Sequence, residues 1–269
     1  MTTTVEKDLP ALEVRAATLG YDGRVVLRDL DLRIDPGTVT TLVGANGCGK
    51  STLLKAMARL VRPSRGEVLL EGRPIGEVGG RQVARRLAVL PQKPLTPQAT
   101  TVHDLVSRGR HPHQSLLRPW TREDAEAVAT ALAATGLTDL ADREAARLSG
   151  GQLQRAWIAL VLAQRTPLLL LDEPTTFLDL THQLEVLRIV RRANREHGTT
   201  VVMVLHDLSL AARFSDRLVV LSDGGVLADG TPWEVLTPAT LREGFGLEAA
   251  VLPDPGTGAP MVVPLEPED

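Results

Sequence analysis

The sequence has few aromatic side chains, a single cysteine and no long apolar stretch. Phe, Trp and Tyr make up 3% of its 269 residues, so its core must be built from aliphatic side chains. Cys48 alone cannot form an intrachain disulfide, and such sparse cysteine fits a reducing cytoplasm. The longest apolar run, residues 156–163, is far shorter than the roughly 20 residues of a membrane-spanning helix. A net charge of −3 argues against general nucleic-acid binding.

The apolar residues that are present follow the pattern of an α/β protein. Continuous apolar runs are typical of strands buried on both faces of a parallel sheet, and helical patterns separate them. The runs lie at 168–171, 201–205 and 218–221, and the helical patterns at 153–164 and 182–197. Residues 12–16 and 27–34 predict N-terminal strands, 121–134 and 141–148 predict helices of an inserted segment, and 261–263 predict an edge strand.

Residues 44–52 form a glycine-rich segment, here called the phosphate loop, between a strand-like run and a helix-like run. This order predicts phosphate binding, because backbone N–H groups and the helix dipole both attract an anion. Lys50 would supply a mobile charge for the β- and γ-phosphates, and Ser51 a hydroxyl for Mg²⁺. The expected binding residues are Gly44, Asn46, Gly47, Cys48 (through its backbone N–H), Gly49, Lys50, Ser51 and Thr52.

Four leucines at 168–171 precede two adjacent carboxylates, Asp172 and Glu173. Ligands bind at the carboxyl ends of strands in open α/β sheets, so these side chains mark a candidate site. Adjacent strand residues point to opposite faces, so the two must act differently. Asp172 is expected to hold Mg²⁺, and Glu173 to align and deprotonate an attacking water. A solvated strand end without chemistry is the alternative.

Residues 148–152, Leu-Ser-Gly-Gly-Gln, form a second glycine-containing helix start, here called the signature segment. Its exposed backbone N–H groups and serine hydroxyl also suit an anion. The chain could therefore bind two anions, or both segments could contact one nucleotide from different subunits, which is the favoured interpretation. The candidate residues are Ser149, Gly150, Gly151 and Gln152.

Taken in order, these motifs resemble those of the ATP-binding subunits of ABC transporters, over almost the whole chain. The phosphate loop matches the Walker A motif, residues 168–172 match Walker B, and the signature segment matches LSGGQ. Leu153 departs from the family, which usually has a polar residue there. Further matches are Tyr21 and Val26 (A-loop), Gln92 (Q-loop), Asp179 (D-loop) and His206 (switch histidine).

The resemblance implies a P-loop NTPase (RecA-like) core with an N-terminal antiparallel β-subdomain and an inserted α-helical subdomain. It implies one ABC ATPase domain over residues 11–250. The core and β-subdomain would occupy 11–95 and 160–250, and the helical signature subdomain about 96–159. Residues 251–269 would form a Pro-rich acidic tail.

The resemblance also implies that two copies pair head to tail and sandwich two ATP molecules with Mg²⁺. Ser149, Gly151 and Gln152 would face the γ-phosphate held by Lys50 of the other copy. Gln92 would sense Mg²⁺ and the γ-phosphate, His206 would fix the attacking water, and Asp179 would cross the interface. Tyr21 and Val26 would contact the nucleotide, Tyr21 by stacking on adenine. Taken alone, Tyr21, Gln92 and His206 each fit an ordinary structural role.

Shorter stretches at 109–114, 120–124, 175–179 and 205–213 are similar to ATPases of bacterial iron–siderophore, haem and cobalamin importers, with the siderophore branch nearest. The resemblance implies an energy-coupling subunit at the cytoplasmic face of the membrane. Its partners would be integral membrane permease subunits, a second copy of itself, and a periplasmic or lipid-anchored substrate-binding protein, with no nucleic acid. The alternatives are haem or cobalamin import, an exporter subunit, and a soluble repair or assembly clamp, whose long coiled coils the sequence lacks.

Overall fold

The computed structural model describes residues 9–21, 23–95, 98–115 and 119–266. The chain divides into two compact units, the first made of residues up to Val78 together with Thr200 onward, and the second of Gly79–Thr199. Within the described ranges, no helix is both long enough and apolar enough to cross a membrane. The boundaries expected for a helical subdomain, about 96 and 159, stay a prediction.

Strands and helices alternate over much of the chain. The strands are β1 (Leu12–Tyr21), β2 (Arg24–Ile34), β3 (Val39–Gly44), β4 (Arg65–Leu70), β5 (Arg73–Pro74), β6 (Leu87–Leu90), β7 (Leu168–Asp172), β8 (Thr200–Val204), β9 (Arg217–Ser222), β10 (Gly225–Gly230), β11 (Ala249–Pro253) and β12 (Pro260–Pro264). The α-helices are α1 (Lys50–Met57), α2 (Gly80–Arg86), α3 (Val102–Ser107), α4 (Arg122–Ala134), α5 (Gly150–Ala163), α6 (Leu180–His197), α7 (Leu208–Phe214), α8 (Pro232–Val235) and α9 (Pro238–Phe245).

The first unit contains an antiparallel sheet of order β2-β1-β4-β5 and a second group of strands of order β10-β9-β3-β8. In the second group, β3 runs parallel to both β8 and β9. All residues of β8 and the central residues of β9 are buried, as the continuous apolar runs predict. The predicted edge strand near residue 262 is confirmed, because β12 pairs with β11. The carboxyl end of β3 leads directly into the phosphate loop.

The second unit contains the parallel pair β6 and β7 and the helices α2 to α6. Helices α3, α4 and α5 pack around buried aliphatic side chains, among them Leu105, Val128 and Ala156. Leu153, which departs from the family pattern, packs against this cluster and is partly buried. A leucine there therefore covers apolar surface, which accounts for the departure.

A buried ion pair holds the start of α4. Arg110 donates to Asp124 at 2.8 Å, and both side chains are 1% exposed. Burial opposes the charge on Asp124, but hydrogen bonds from Arg110 and Thr121 outweigh it and lower the pKa of Asp124 to about 2. Arg110 also donates to the carbonyl of Ala163 at the end of α5. Thr121, the first residue of the predicted segment 121–134, caps α4.

The helix predicted over residues 141–148 is wrong. Only a short 3₁₀ segment, Ala145–Arg147, forms there. The backbone N–H of Val102 donates to the carbonyl of Arg143 at 2.9 Å, and that of Ala145 donates to the carbonyl of Thr100 at 2.8 Å. Because these backbone groups pair with residues 100–102, they do not form an i to i−4 ladder.

Candidate active site

The phosphate loop has a backbone that glycine makes possible. Gly44, Gly47 and Gly49 have φ values of 148°, 83° and 106°, in the region that other residues rarely adopt. A Cβ at Gly44 would collide with the carbonyl oxygen of Leu221, and one at Gly49 would lie 2.9 Å from the side chain of Leu27. At Gly47, no described atom lies within 4 Å of such a Cβ. The loop is therefore closed against β2 and β9 and open at its tip.

Lys50, the first residue of α1, places its ammonium group inside the loop. Its side chain is 5% exposed, and Nζ donates to the carbonyl oxygens of Gly44 and Ala45, both at 2.8 Å. Gly49 begins the helix without a side-chain cap among the described residues. Backbone N–H groups, the helix dipole and a buried cation thus meet at one place, and this set of groups fits a triphosphate.

Three residues expected at the nucleotide lie in the same unit as the phosphate loop. A Cβ at Gly49 would lie 3.0 Å from Val26, so Val26 lies beside the loop. Leu42 of β3 pairs with Val204 of the parallel strand β8. Gly44 lies two residues after Leu42, and His206 lies two residues after Val204. Both residues therefore lie at the carboxyl ends of these two parallel strands. Tyr21 ends β1 and is 45% exposed.

Gln92 and Glu173 meet at the carboxyl edge of the β6–β7 pair. Leu90 pairs with Leu171, so each side chain lies two residues beyond a matched position. Gln92 Nε2 donates to Glu173 Oε2 at 2.7 Å, and Thr176 donates to the same oxygen at 2.8 Å. Glu173 also has a φ of 51°, a conformation that costs a non-glycine residue about 1 kcal/mol or more. The carboxylate is therefore held in a defined orientation.

Asp172 is the last residue of β7 and is 2% exposed. Its carboxylate is a hard oxygen ligand of the kind that Mg²⁺ prefers, as is the hydroxyl of Ser51 in the phosphate loop. Among the described residues, no group of three or more His, Cys, Asp or Glu side chains could hold a metal ion.

In the signature segment, Ser149 and Gln152 bond to each other's backbone N–H groups. Ser149 caps α5, and the N–H of Gln152 donates to its hydroxyl at 3.3 Å. In return, Ser149 N–H donates to Oε1 of Gln152 at 3.0 Å. Ser149 and Gly150 are exposed, whereas Gly151 is buried beneath the imidazole of His182.

Asp179 caps α6. The backbone N–H of His182 and its imidazole both bond to Asp179 Oδ1, and these bonds lower the pKa of Asp179 below its ordinary value. Its apolar neighbours Phe177 and Leu180 are 87% and 62% exposed. A polar cap flanked by exposed apolar side chains is suited to contact with another protein surface.

The predicted residues fall into the two units. Tyr21, Val26 and His206 belong to the first unit with the phosphate loop, and Gln92, Asp172, Glu173, Asp179 and the signature segment belong to the second. Sequence reasoning missed three residues that support the second group: Thr176, His182, and Gln154, which donates to the carbonyl of Pro174 at 2.7 Å. Thr176 and His182 each follow a site carboxylate by three positions, and that spacing was the available signal.

A family model described as ABC transporter matches residues 27–176, more than half of the chain. The chain belongs to the ABC transporter family. The ferric enterobactin transport ATP-binding protein FepC of Escherichia coli is 48% identical over 248 residues, which are 92% of each chain. The iron(3+)-hydroxamate import ATP-binding protein FhuC of Bacillus subtilis is 47% identical over 251 residues, which are 93% of each chain.

A solved structure of a bacterial ABC transporter cassette, the dimeric structure of MJ0796, matches with a TM-score of 0.73 and 26% identity, over 82% of this chain and 98% of that one. The predicted family, the P-loop NTPase fold and the ATPase activity are confirmed by these matches. The expected importer ATPase subunit is likewise confirmed, and the clamp and the haem or cobalamin alternatives are not favoured. The roles assigned to individual residues stay predictions.

Proposed function

We propose that this ABC ATPase powers the import of iron(III)–siderophore complexes through separate membrane-spanning subunits. The names of the relatives, which specify transport of ferric enterobactin for FepC and import of iron(3+)-hydroxamate for FhuC, support this cargo class. The subunit would work at the cytoplasmic face of the membrane, bound to integral permease subunits. A substrate-binding protein on the other side would deliver the cargo. ATP hydrolysis would supply the conformational change in the permease.

The observation that best supports ATP hydrolysis at the carboxyl edge of the β6–β7 pair is the hydrogen bond from Gln92 to Glu173. A general base must be held within reach of the water that it deprotonates. Glu173 Oε2 accepts bonds from both Gln92 and Thr176, so two neutral donors orient the carboxylate without neutralising its charge. Glu173 would accept the proton of the water that attacks the γ-phosphate, and His206 would help to position that water.

The phosphate loop would bind the triphosphate. Lys50 Nζ would exchange its bonds to the carbonyls of Gly44 and Ala45 for bonds to β- and γ-phosphate oxygens. Backbone N–H groups of the residues from Asn46 to Thr52 would donate to the remaining oxygens. Bound Mg²⁺, held by Ser51, Asp172 and Gln92, would neutralise phosphate charge. Tyr21 and Val26 would contact the base and sugar.

A second copy would complete the site. Ser149, Gly151 and Gln152 of one copy would face the γ-phosphate bound by Lys50 of the other. The exposure of Ser149, and of Phe177 and Leu180 beside Asp179, supports this pairing, because these groups are available to another surface. The dimeric cassette MJ0796 is a precedent in the family. Hydrolysis would remove the γ-phosphate contact and let the copies separate.

Replacement of Glu173 by Gln tests the chemistry. The variant removes the base but keeps the side-chain shape, so turnover should fall by about 10²–10⁴-fold. Size-exclusion chromatography with MgATP should still show a dimer, and ATP should bind with wild-type affinity. Glu196→Gln, at an exposed site on α6, is the matched control and should hydrolyse ATP normally. Near-normal turnover by Glu173→Gln would remove Glu173 as the base.

Cargo is tested in cells that carry Glu173→Gln in place of the wild-type chain. Uptake of radiolabelled iron from ferric catecholate and ferric hydroxamate complexes should be measured beside uptake of haem and cobalamin. Loss of iron uptake from at least one siderophore class, with haem and cobalamin uptake intact, is the expected result. Loss confined to haem or cobalamin would contradict the proposed cargo.

A further inference from the structure

His182 contacts both of the segments that the proposed function assigns to the interface between copies. It lies in the first turn of α6, three residues after Asp179. Its imidazole also lies against Gly151, the second glycine of the signature segment. Neither a sequence motif nor the proposed chemistry assigns this histidine a role.

The contact with Asp179 fixes the orientation of the ring. His182 Nδ1 lies 2.8 Å from Asp179 Oδ1, and the backbone N–H of His182 donates to the same oxygen at 2.9 Å. Since an ionised carboxylate only accepts hydrogen bonds, Nδ1 must be the donor and carry the proton. The ring is therefore held at the N-terminus of α6 by the residue that caps the helix.

The contact with Gly151 leaves no room for a side chain. A Cβ at Gly151 would collide with Cδ2 of His182 and would lie 2.8 Å from Cγ and 2.9 Å from Nε2. Gly151 is buried although its neighbours Ser149 and Gly150 are exposed. Any larger residue at this position must push the imidazole away, and that movement would break its bond to Asp179.

The ion pair between Arg155 of α5 and Glu185 of α6 is a weaker contact than the packing of His182 on Gly151. Arg155 Nη1 lies 3.7 Å from Glu185 Oε2. Arg155 Nε and Glu185 Oε2 are buried without a hydrogen-bond partner among the described residues. A loose ion pair of this kind does not fix the two helix starts relative to each other. The close packing of His182 on Gly151 holds the start of α5 against the start of α6, alongside the bond from Gln154 to the carbonyl of Pro174.

We propose that His182 is a positioning residue that locks the signature segment to Asp179, so that both meet the other copy in one fixed arrangement. The inference rests on the proposed function, because it concerns closure of the ATP sandwich. The imidazole touches neither nucleotide nor reacting water in this account. It acts through Gly151 and Asp179, and its loss should loosen their relative placement within one subunit.

The first experiment compares His182→Ala with His182→Asn. Asparagine places an N–H donor near the position of Nδ1, so it can keep the bond to Asp179. Steady-state turnover should fall about 10-fold in His182→Ala and stay within about threefold of wild type in His182→Asn. ATP affinity of the single subunit should be unchanged in both. His197→Ala, at the exposed end of the same helix, is the matched control. Wild-type turnover in His182→Ala would overturn the inference.

The second experiment does not depend on ATPase activity. Gly151→Ala should lower Tm by about a few degrees in the wild-type background, because it expels the imidazole. In the His182→Ala background the same substitution should change Tm little, because the two changes break one contact. Additive shifts would overturn the inference. If the wild-type protein failed to hydrolyse ATP, the proposed function would fail, and this cycle would still decide whether His182 couples the two segments.

Discussion

The phosphate loop and the signature segment are both glycine-containing helix starts, but they are supported in different ways. The carbonyl of Leu221 and the side chain of Leu27 confine the loop at Gly44 and Gly49, and Lys50 is already buried within it. Ser149 and Gln152 instead bond to each other at an exposed surface. The chain therefore holds the phosphate loop in place by itself, whereas the polar groups of Ser149 and Gln152 lie at a surface where they can exchange partners.

We expect the largest effect from Ser149→Arg, which changes the signature segment and leaves the phosphate loop intact. A bulky cation at the exposed cap would block approach of a second copy, so ATP-dependent dimerisation and turnover should be lost. ATP binding to the single subunit should stay within about twofold of wild type, since the phosphate loop is untouched. Size-exclusion chromatography and titration with a fluorescent ATP analogue measure the two properties. Thr130→Arg, an exposed change in the same unit, is the control. ATP-dependent dimerisation of Ser149→Arg would contradict a role for the signature segment at the interface between copies.

Arg110→Met should destabilise the unit that carries the signature segment. It leaves Asp124 buried without its cation, which costs about 3–5 kcal/mol of unfolding free energy. Urea unfolding followed by circular dichroism measures the loss, and Arg108→Met on the exposed side of the same segment is the control. A loss below about 1 kcal/mol would show that the pair does not hold the start of α4.

Lys50→Ala should weaken the phosphate loop without disturbing the signature segment. Loss of charge-assisted bonds worth about 1.5–3 kcal/mol should lower ATP affinity by roughly 10- to 100-fold. Thermal stability without nucleotide should change little. Isothermal titration with ATP measures the affinity, and Lys55→Ala, one turn further along α1, is the control. Equal affinity in Lys50→Ala and wild type would mean that the phosphates bind elsewhere.

The sequence predicts those parts of the molecule that depend on local pattern. Buried parallel strands follow from the apolar runs at β7, β8 and β9, and the start of α4 follows from Thr121. The segment 141–148 shows the limit of such reasoning. Its composition favours a helix, but its backbone pairs with residues 100–102, and no local pattern records that pairing.

The candidate site also has parts that local sequence pattern predicts and parts that depend on tertiary contacts. Glycine spacing and the Asp172–Glu173 pair identify the phosphate loop and the strand end from sequence. Gln92 was identified only through the family resemblance, and its bond to Glu173 depends on the register of β6 with β7. The spacing of Thr176 and His182 from Glu173 and Asp179 does not by itself assign them a role, because their contacts depend on how a turn and two helices pack.

A crystal structure of Glu173→Gln with MgATP would show directly whether the signature segment of one copy contacts the nucleotide bound by the other. We expect two copies related head to tail, with Ser149 Oγ and the N–H of Gly151 within hydrogen-bond distance of a γ-phosphate bound by Lys50 of the other copy. If the signature segments of both copies lay far from every phosphate in a closed, ATP-loaded dimer, the second copy would not complete the site as proposed.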